Sequence, residues 1–210
     1  MISRKIGLIN YGAGNFTSVF NAFKFLEIEA IEINVPDQFN EVSHIVLPGV
    51  GAFAAAVRKL EALKLLDAIK EHILIQKKFF LGICVGMQIL ADVGLEFEKY
   101  AGLGVISGKV DKINTSNGGL KLPHIGWNEV HVTDKACYLF NDMPERPIFY
   151  FVHSYCFRPQ HLDKILATCN YGEEITAAIG ENNIFGVQFH PEKSQHNGLQ
   201  LLNNFASLKN

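Results

Sequence analysis

Short apolar runs alternate with helix-period patterns through the first half of the chain, and that alternation restricts the fold more than any other feature. "KIGLIN" reads as a strand and "YGAGN" as a turn. Phe16, Val19, Phe20, Phe23 and Leu26 then recur at the spacing of one helix face. Ile31, Ile33 and Val35 alternate as a strand ending at Pro36, and "HIVLPG" is a further strand ending at Pro48. Val57, Leu60, Leu63 and Leu66 carry one long helical stretch toward Ile75, after which Phe79 to Ile83 form the next apolar run. Strand alternating with helix implies crossover connections and a largely parallel sheet.

Beyond residue 103 the pattern changes to short strands with turn signals: "GLGVISGKVDKI", the loop "NTSNGG", "GWNEVHVT", "PIFYFVHSYCF", "EITAAIG" and "NIFGVQF". These read as antiparallel additions to the sheet. Leu199, Leu202, Phe205 and Leu208 give a closing helix. With 210 residues, 48% hydrophobic and 19% charged, and with no linker or repeat, residues 1–210 are expected to form one domain of the α/β class.

Charge and cysteine usage exclude several functions. A net charge of -2, with no Lys/Arg cluster beside aromatics, supplies no field for nucleic acid. "MISRKIGLIN" makes a poor signal peptide and a good first strand. No apolar run approaches the ~20 residues of a membrane span, so no membrane partner is expected. Cys84, Cys137, Cys156 and Cys169 are widely separated and form no CxxC pair, which fits a reducing cytoplasm. The histidines lack metal-ligand spacing, and "GAGNFT" has Thr17 where a dinucleotide fingerprint wants glycine. Neither a metal nor a cofactor is expected.

The chemistry starts at "GICVG". Glycines two residues either side of Cys84 allow a sharp corner between the apolar run and a helix over Met87–Val93, the geometry of a nucleophile elbow with cysteine in place of serine. Bulk at Gly82 or Gly86 is expected to disrupt it. A helix start after Cys84 favours the thiolate, whereas Cys137, Cys156 and Cys169 read as buried small hydrophobes. A base is offered by "VQFHPEKS": if extended geometry persists through Pro191, His190 and Glu192 share a face. The carboxylate would then fix the tautomer of an imidazole that takes the thiol proton. Donors for an oxyanion are available from the N–H of Val85 and from "PGVG", around Val50 and Gly51.

"GICVGMQIL", "HPEKS" and "PGVG" together resemble the class I (triad) glutamine amidotransferases. "YGAGN", "LPHIGWNEV", "FYFVHSY" and "FGVQFHPEKSQHNGLQLLNNF" are similar to the branch of that family that feeds a cyclase in histidine biosynthesis, and the resemblance runs from residue 5 to 208. It implies a three-layer fold with a mixed, largely parallel central sheet flanked by helices. It also implies attack of Cys84 on the side-chain amide of glutamine, release of ammonia, and hydrolysis of a thioester to glutamate. Gly49, Gln88, Ser154 and Tyr155 match substrate-binding positions, and "PGVG" matches an oxyanion strand that reorients in the presence of the partner's ligand. The implied partner is a (βα)8-barrel cyclase receiving ammonia through a shielded channel, with Tyr11, Asn15, Pro123, Ile125, Trp127 and Asn128 matching the junction. A single domain of this length holds no synthase module, and free ammonia is protonated in water, which independently calls for a second chain.

Two departures stand out. Asn10 occupies a position where the family has Asp before Tyr-Gly, and "ADVGLEFEKYAGLG" lacks the usual Ser and Glu-Gly. They leave open a paralogue that supplies ammonia for amidating a bacterial surface sugar. A binding module with a degenerate site is disfavoured by the intact Cys84, His190 and Glu192, and a peptide hydrolase by Gln88.

Overall fold

Residues 5–115, 119–133 and 138–209 are described by the computed structural model. The first half builds β1 (Ile6–Ile9), α1 (Phe16–Phe25), β2 (Ala30–Ile33), β3 (His44–Gly49), α2 (Phe53–Ala62), α3 (Leu65–Lys70), β4 (Phe79–Cys84) and α4 (Val85–Gln88). The second half adds β5 (Val93–Gly94), β6 (Tyr100–Ala101), β7 (Gly108–Lys112), β8 (His124–Glu129), β9 (His131–Val132), β10 (Ile148–His153) and β11 (Tyr155–Pro159). It ends with β12 (Ile165–Asn170), β13 (Glu174–Glu181), β14 (Ile184–Val187) and α5 (Gln195–Ala206).

An eight-stranded sheet runs β2-β1-β3-β4-β14-β13-β12-β9. Its first four pairings, from β2 to β14, are parallel. The remainder are antiparallel. β1 and β3 are buried along their whole length, as strands covered on both faces must be. Helices pack in two groups, α1 with α5 and α2 with α3 and α4, giving the layered α/β architecture expected from the alternation.

Several local expectations fail. The helix drawn from Val57 toward Ile75 is two helices, because Lys64 takes a left-handed conformation (φ 57°) that ends α2 and lets Leu65, not Leu63, enter the core. A π-helical turn, Glu71–Ile75, then continues α3. The helix after Cys84 begins at Val85 and stops at Gln88, and β5 starts at Val93. β2 ends at Ile33, leaving Val35 exposed. The antiparallel additions do not all join the main sheet: β8 pairs with β10, and β11-β7-β5-β6 form a third sheet. "ILATCN", missed for want of clear alternation, is β12, whose pairing with β13 carries a register shift. Cys137 and part of "NTSNGG" lie outside the described residues.

This topology brings the carboxyl ends of β3, β4 and β14 side by side. Gly49 stands opposite Cys84, and Val187 opposite Ile83, so the segments leaving all three strands meet at one edge. In open α/β sheets that edge is where ligands bind.

Candidate active site

Cys84 closes β4 with φ 55° and ψ -109°, a conformation that L residues avoid and that costs of order 1–3 kcal/mol. The close approach of backbones explains the neighbouring glycines. A side chain at Gly86 would strike the carbonyl of Leu47 on β3, and one at Gly82 would strike the carbonyl of Gly86. Gly49 is equally confined, by Gly86, Val85 and the hydroxyl of Tyr11. The chain can therefore turn from strand to helix only with these residues bare.

His190 and Glu192 arrive from β4's other neighbour, on the segment after β14. Phe189 between them and the strand is fully buried, stacked on Phe149 with ring centroids 3.9 Å apart, which turns its neighbours Gln188 and His190 the opposite way. The backbone N–H of His190 donates to Tyr150 O (2.9 Å), and Ser194 Oγ donates to His190 O (2.6 Å). Strand geometry does not persist through Pro191, contrary to expectation. Proline opens a 3-10 turn, Pro191–Lys193, and that turn swings Glu192 back beneath the imidazole.

Nδ1 of His190 donates to Glu192 Oε1 at 2.7 Å, with the two side chains 1% and 0% exposed. The same oxygen accepts from Asn15 Nδ2 at 2.9 Å, and Asn15 Oδ1 accepts from Ser18 Oγ at 2.8 Å. With its Nδ1 proton committed, His190 presents Nε2, which has no hydrogen-bond partner of ordinary geometry. Burial opposes charge on this imidazole, but the adjacent Cys84 thiol and Glu192 carboxylate outweigh it and push the pKa up to about 10. The arrangement favours an imidazolium, held by a buried carboxylate.

A cavity of about 810 Å³ opens over this group. Cys84, Val85, Gln88 and His190 line it together with Val50 and Gly51. Val85 is the first residue of α4, so its N–H has no intrahelical acceptor. Gly51 has φ +95° with open space around it, and only glycine takes that backbone without strain. Ser154, Tyr155 and Pro123 line the cavity too, although the Tyr155 carbonyl is already bonded by Gln88 Nε2 (3.0 Å) and His153 Nδ1 (2.8 Å).

The residues expected at a partner junction are divided by the structure. Ile125 and Trp127 are 58% and 49% exposed on the outer face of β8. Tyr11, by contrast, is buried and its phenol is held well above its ordinary value by burial and by nearby Cys84. Asn15 donates to Glu192, and the Asn128 amide donates to Asn170 O at 2.9 Å. Asn15 and Asn128 are half-buried, so part of each stays at the surface.

Sequence reading passed over several cavity and site residues, four of them polar or charged. Glu96, on the departing segment after the corner, lines the cavity and accepts from Phe53 N (2.9 Å) at the start of α2. Lys112 and His153 line it as well. Gln188 is fully buried, with its amide 3.6 Å from Cys84 Sγ. Only Gln188 carried a local signal, its place two residues before His190 on an extended segment.

A mixed α/β sheet in which a parallel strand ends in a cysteine corner, facing a buried histidine–carboxylate pair, is a framework for cysteine-dependent amide chemistry. The chain belongs to the class I glutamine amidotransferases: the pattern of the family Glutamine amidotransferase class-I matches residues 8–208. Among its relatives is the imidazole glycerol phosphate synthase subunit HisH of Pelagibacter ubique, 42% identical over 97% of this chain and 99% of that protein. The HisH subunit of Zymomonas mobilis is 43% identical over 97% of this chain and 95% of its own length. The fold is shared with solved structures of low identity, including "Structure of PurLQS from Thermotoga maritima" (TM-score 0.75, 17% identity, 96% of each chain). Another is "Crystal structure of glutamine amidotransferase" (TM-score 0.74, 18% identity, 97% of this chain and 99% of that one).

Proposed function

We propose that the chain is the glutaminase subunit of an imidazole glycerol phosphate synthase and supplies ammonia for histidine biosynthesis. The observation that carries this reading is the strained Cys84 at the cavity floor beside the sealed His190–Glu192 pair. His190 takes the thiol proton, and the thiolate attacks the side-chain amide carbon of glutamine. The oxyanion that forms is met by N–H groups of Val85 and of the Val50–Gly51 loop. The imidazolium returns its proton to the departing nitrogen, and ammonia leaves a thioester on Cys84. Water then attacks, His190 takes its proton, the C–S bond breaks and glutamate is released. Glu192 holds the imidazole in its tautomer throughout and is not itself protonated.

A free amino acid brings an ammonium and a carboxylate, and Glu96 and Lys112 in the cavity lining supply charges opposite to each. Ser154 and Tyr155 complete the substrate contact. Ile125 and Trp127 offer an exposed apolar surface of the kind that anchors a partner, here a (βα)8-barrel cyclase. Full-length similarity to HisH subunits favours this pathway over surface-sugar amidation. The test is glutamate release from glutamine by the chain alone and with the barrel cyclase plus its ribulosyl substrate. A low basal rate that rises only with both additions supports the reading, and turnover unaffected by Cys84→Ala overturns it.

A further inference from the structure

The Cys84 sulfur has a second polar neighbour besides its histidine. Gln188 lies on the segment between β14 and His190, with its own N–H fixed to Ala177 O at 2.9 Å and its side chain wholly buried. Which end of its amide faces the sulfur follows from a chain of bonds. The carbonyl of Tyr155 can only accept, so the Gln88 atom 3.0 Å from it is Nε2. That same Nε2 lies 3.0 Å from the Gln188 amide and must find an acceptor there, which is Oε1. The remaining end of Gln188, Nε2, is therefore the one directed at Cys84 Sγ, 3.6 Å away.

We propose that Gln188 is a catalytic residue that donates an N–H to the Cys84 sulfur and stabilises it as a thiolate. A hydrogen bond to an ionised acceptor is about twice as strong as one to a neutral acceptor, so this donor favours the charged sulfur over the thiol. Little else beside the imidazolium does so. α4 has only four residues, too few for a substantial helix dipole, and the nearby Tyr11 is a neutral phenol. The donor acts at both ends of the reaction. It meets the sulfur before the S–C bond forms. It meets it again when the C–S bond breaks in thioester hydrolysis and the electron pair returns to sulfur. Through Oε1 it also ties the nucleophile to Gln88, so that a substrate contact at Gln88 is felt at the sulfur.

The inference rests on the glutaminase reading for its role, but the alkylation that tests it does not use glutamine. Iodoacetamide alkylation of Cys84 in the full chain is followed against pH by mass spectrometry of the Cys84 peptide. Gln188→Met removes the donor at similar length. Gln188→Glu keeps the shape and an acceptor for Gln88 while turning a negative oxygen toward the sulfur, and it carries the test if the methionine variant fails to fold. The pH midpoint of alkylation is expected to move up by about one to two units in Gln188→Met and further in Gln188→Glu, with thermal melting showing that both are folded. Wild-type midpoints in the folded variants overturn the inference. Shifted midpoints with no glutamate release by the wild type, partner present, leave the Gln188 contact standing and remove the glutaminase reading.

Discussion

The imidazole of His190 and the carboxylate of Glu192 meet at 2.7 Å with neither side chain reaching solvent. Replacing Glu192 by Gln keeps the shape and removes the charge that favours the imidazolium. kcat for glutamate release is expected to fall by roughly 10²- to 10⁴-fold, with KM little changed. Stability changes with it. The folded value of His190, raised to about 10, lies above the unfolded 6.5, so its contribution is complete below pH 6.5 and is lost as pH rises through about 10. In Glu192→Gln the folded value falls, so that loss should be smaller and end at lower pH, as read by melting curves between pH 6 and 10.5. Identical pH dependence in both proteins would remove the charge coupling between the two residues.

Asn15 and Trp127 were both expected at a partner surface, and the structure separates them. Asn15 bonds the triad-like carboxylate at 2.9 Å, whereas Trp127 is half exposed and touches Tyr150 edge-on. Asn15→Ala is expected to lower basal glutamate release about tenfold while changing cyclase affinity less than threefold. Trp127→Ala should do the reverse, leaving basal release intact and weakening the complex by at least tenfold. Trp127 is the only tryptophan, so its emission should move to shorter wavelength as the cyclase docks. Isothermal titration against the cyclase, beside a glutamate assay, distinguishes the two.

Much of this arrangement is local and was readable from the chain. β1, β3 and β4 are continuous apolar runs because both their faces are covered, and the corner at Cys84 announces itself through Gly82 and Gly86. The nearness of His190 to Glu192 was legible too, but for a different reason from the one that holds: a 3-10 turn opened by Pro191, not strand alternation. What the sequence hid depends on distant packing. Asn15 reaches a residue 177 positions away, and Gln188 reaches a sulfur 104 positions away. No window of neighbouring residues contains either contact. The break at Lys64 was equally hidden, because a left-handed lysine leaves no trace in hydrophobic period.

Gly86 is where β3 and α4 come closest, and its bare Cα faces the Leu47 carbonyl. Backbone cannot yield as a flexible side chain does, so Gly86→Ala should destabilise the fold by about 3 kcal/mol or more, lowering Tm by roughly 10 °C. The strained corner predicts the opposite preference next door. At an ordinary helical position glycine is less stable than alanine by about 1 kcal/mol, but at φ 55° Cys84→Gly should melt no lower than Cys84→Ala. Calorimetry of the three variants measures both effects, and a Gly86→Ala protein melting with the wild type would mean the two backbones are not in contact.

His124 and His153 form a buried pair beside the cavity, and their bonds fix every proton. His153 Nδ1 donates to Tyr155 O at 2.8 Å, so its Nε2 must accept from His124 Nδ1 at 3.1 Å. The remaining nitrogen of His124 accepts from Asn128 Nδ2 at 3.3 Å, and Phe151 and Tyr171 stack on its ring. A proton added to either imidazole breaks this chain. Burial accordingly holds His124 down to about 4 and His153 to about 3, with His124 and then His190 also lowering the latter. Both folded values lie below the unfolded 6.5, so the stability they carry is complete above pH 6.5. It is lost as pH falls toward 4 and 3, because the unfolded chain takes up protons that the fold refuses. Two such groups give a slope of at most about 2.7 kcal/mol per pH unit. His124→Gln removes one proton from that balance, and urea midpoints between pH 4 and 6.5 should then fall about half as steeply from this source. An unchanged slope would mean that the pair is already protonated in the fold, which the ordered chain of bonds from Asn128 to Tyr155 does not allow.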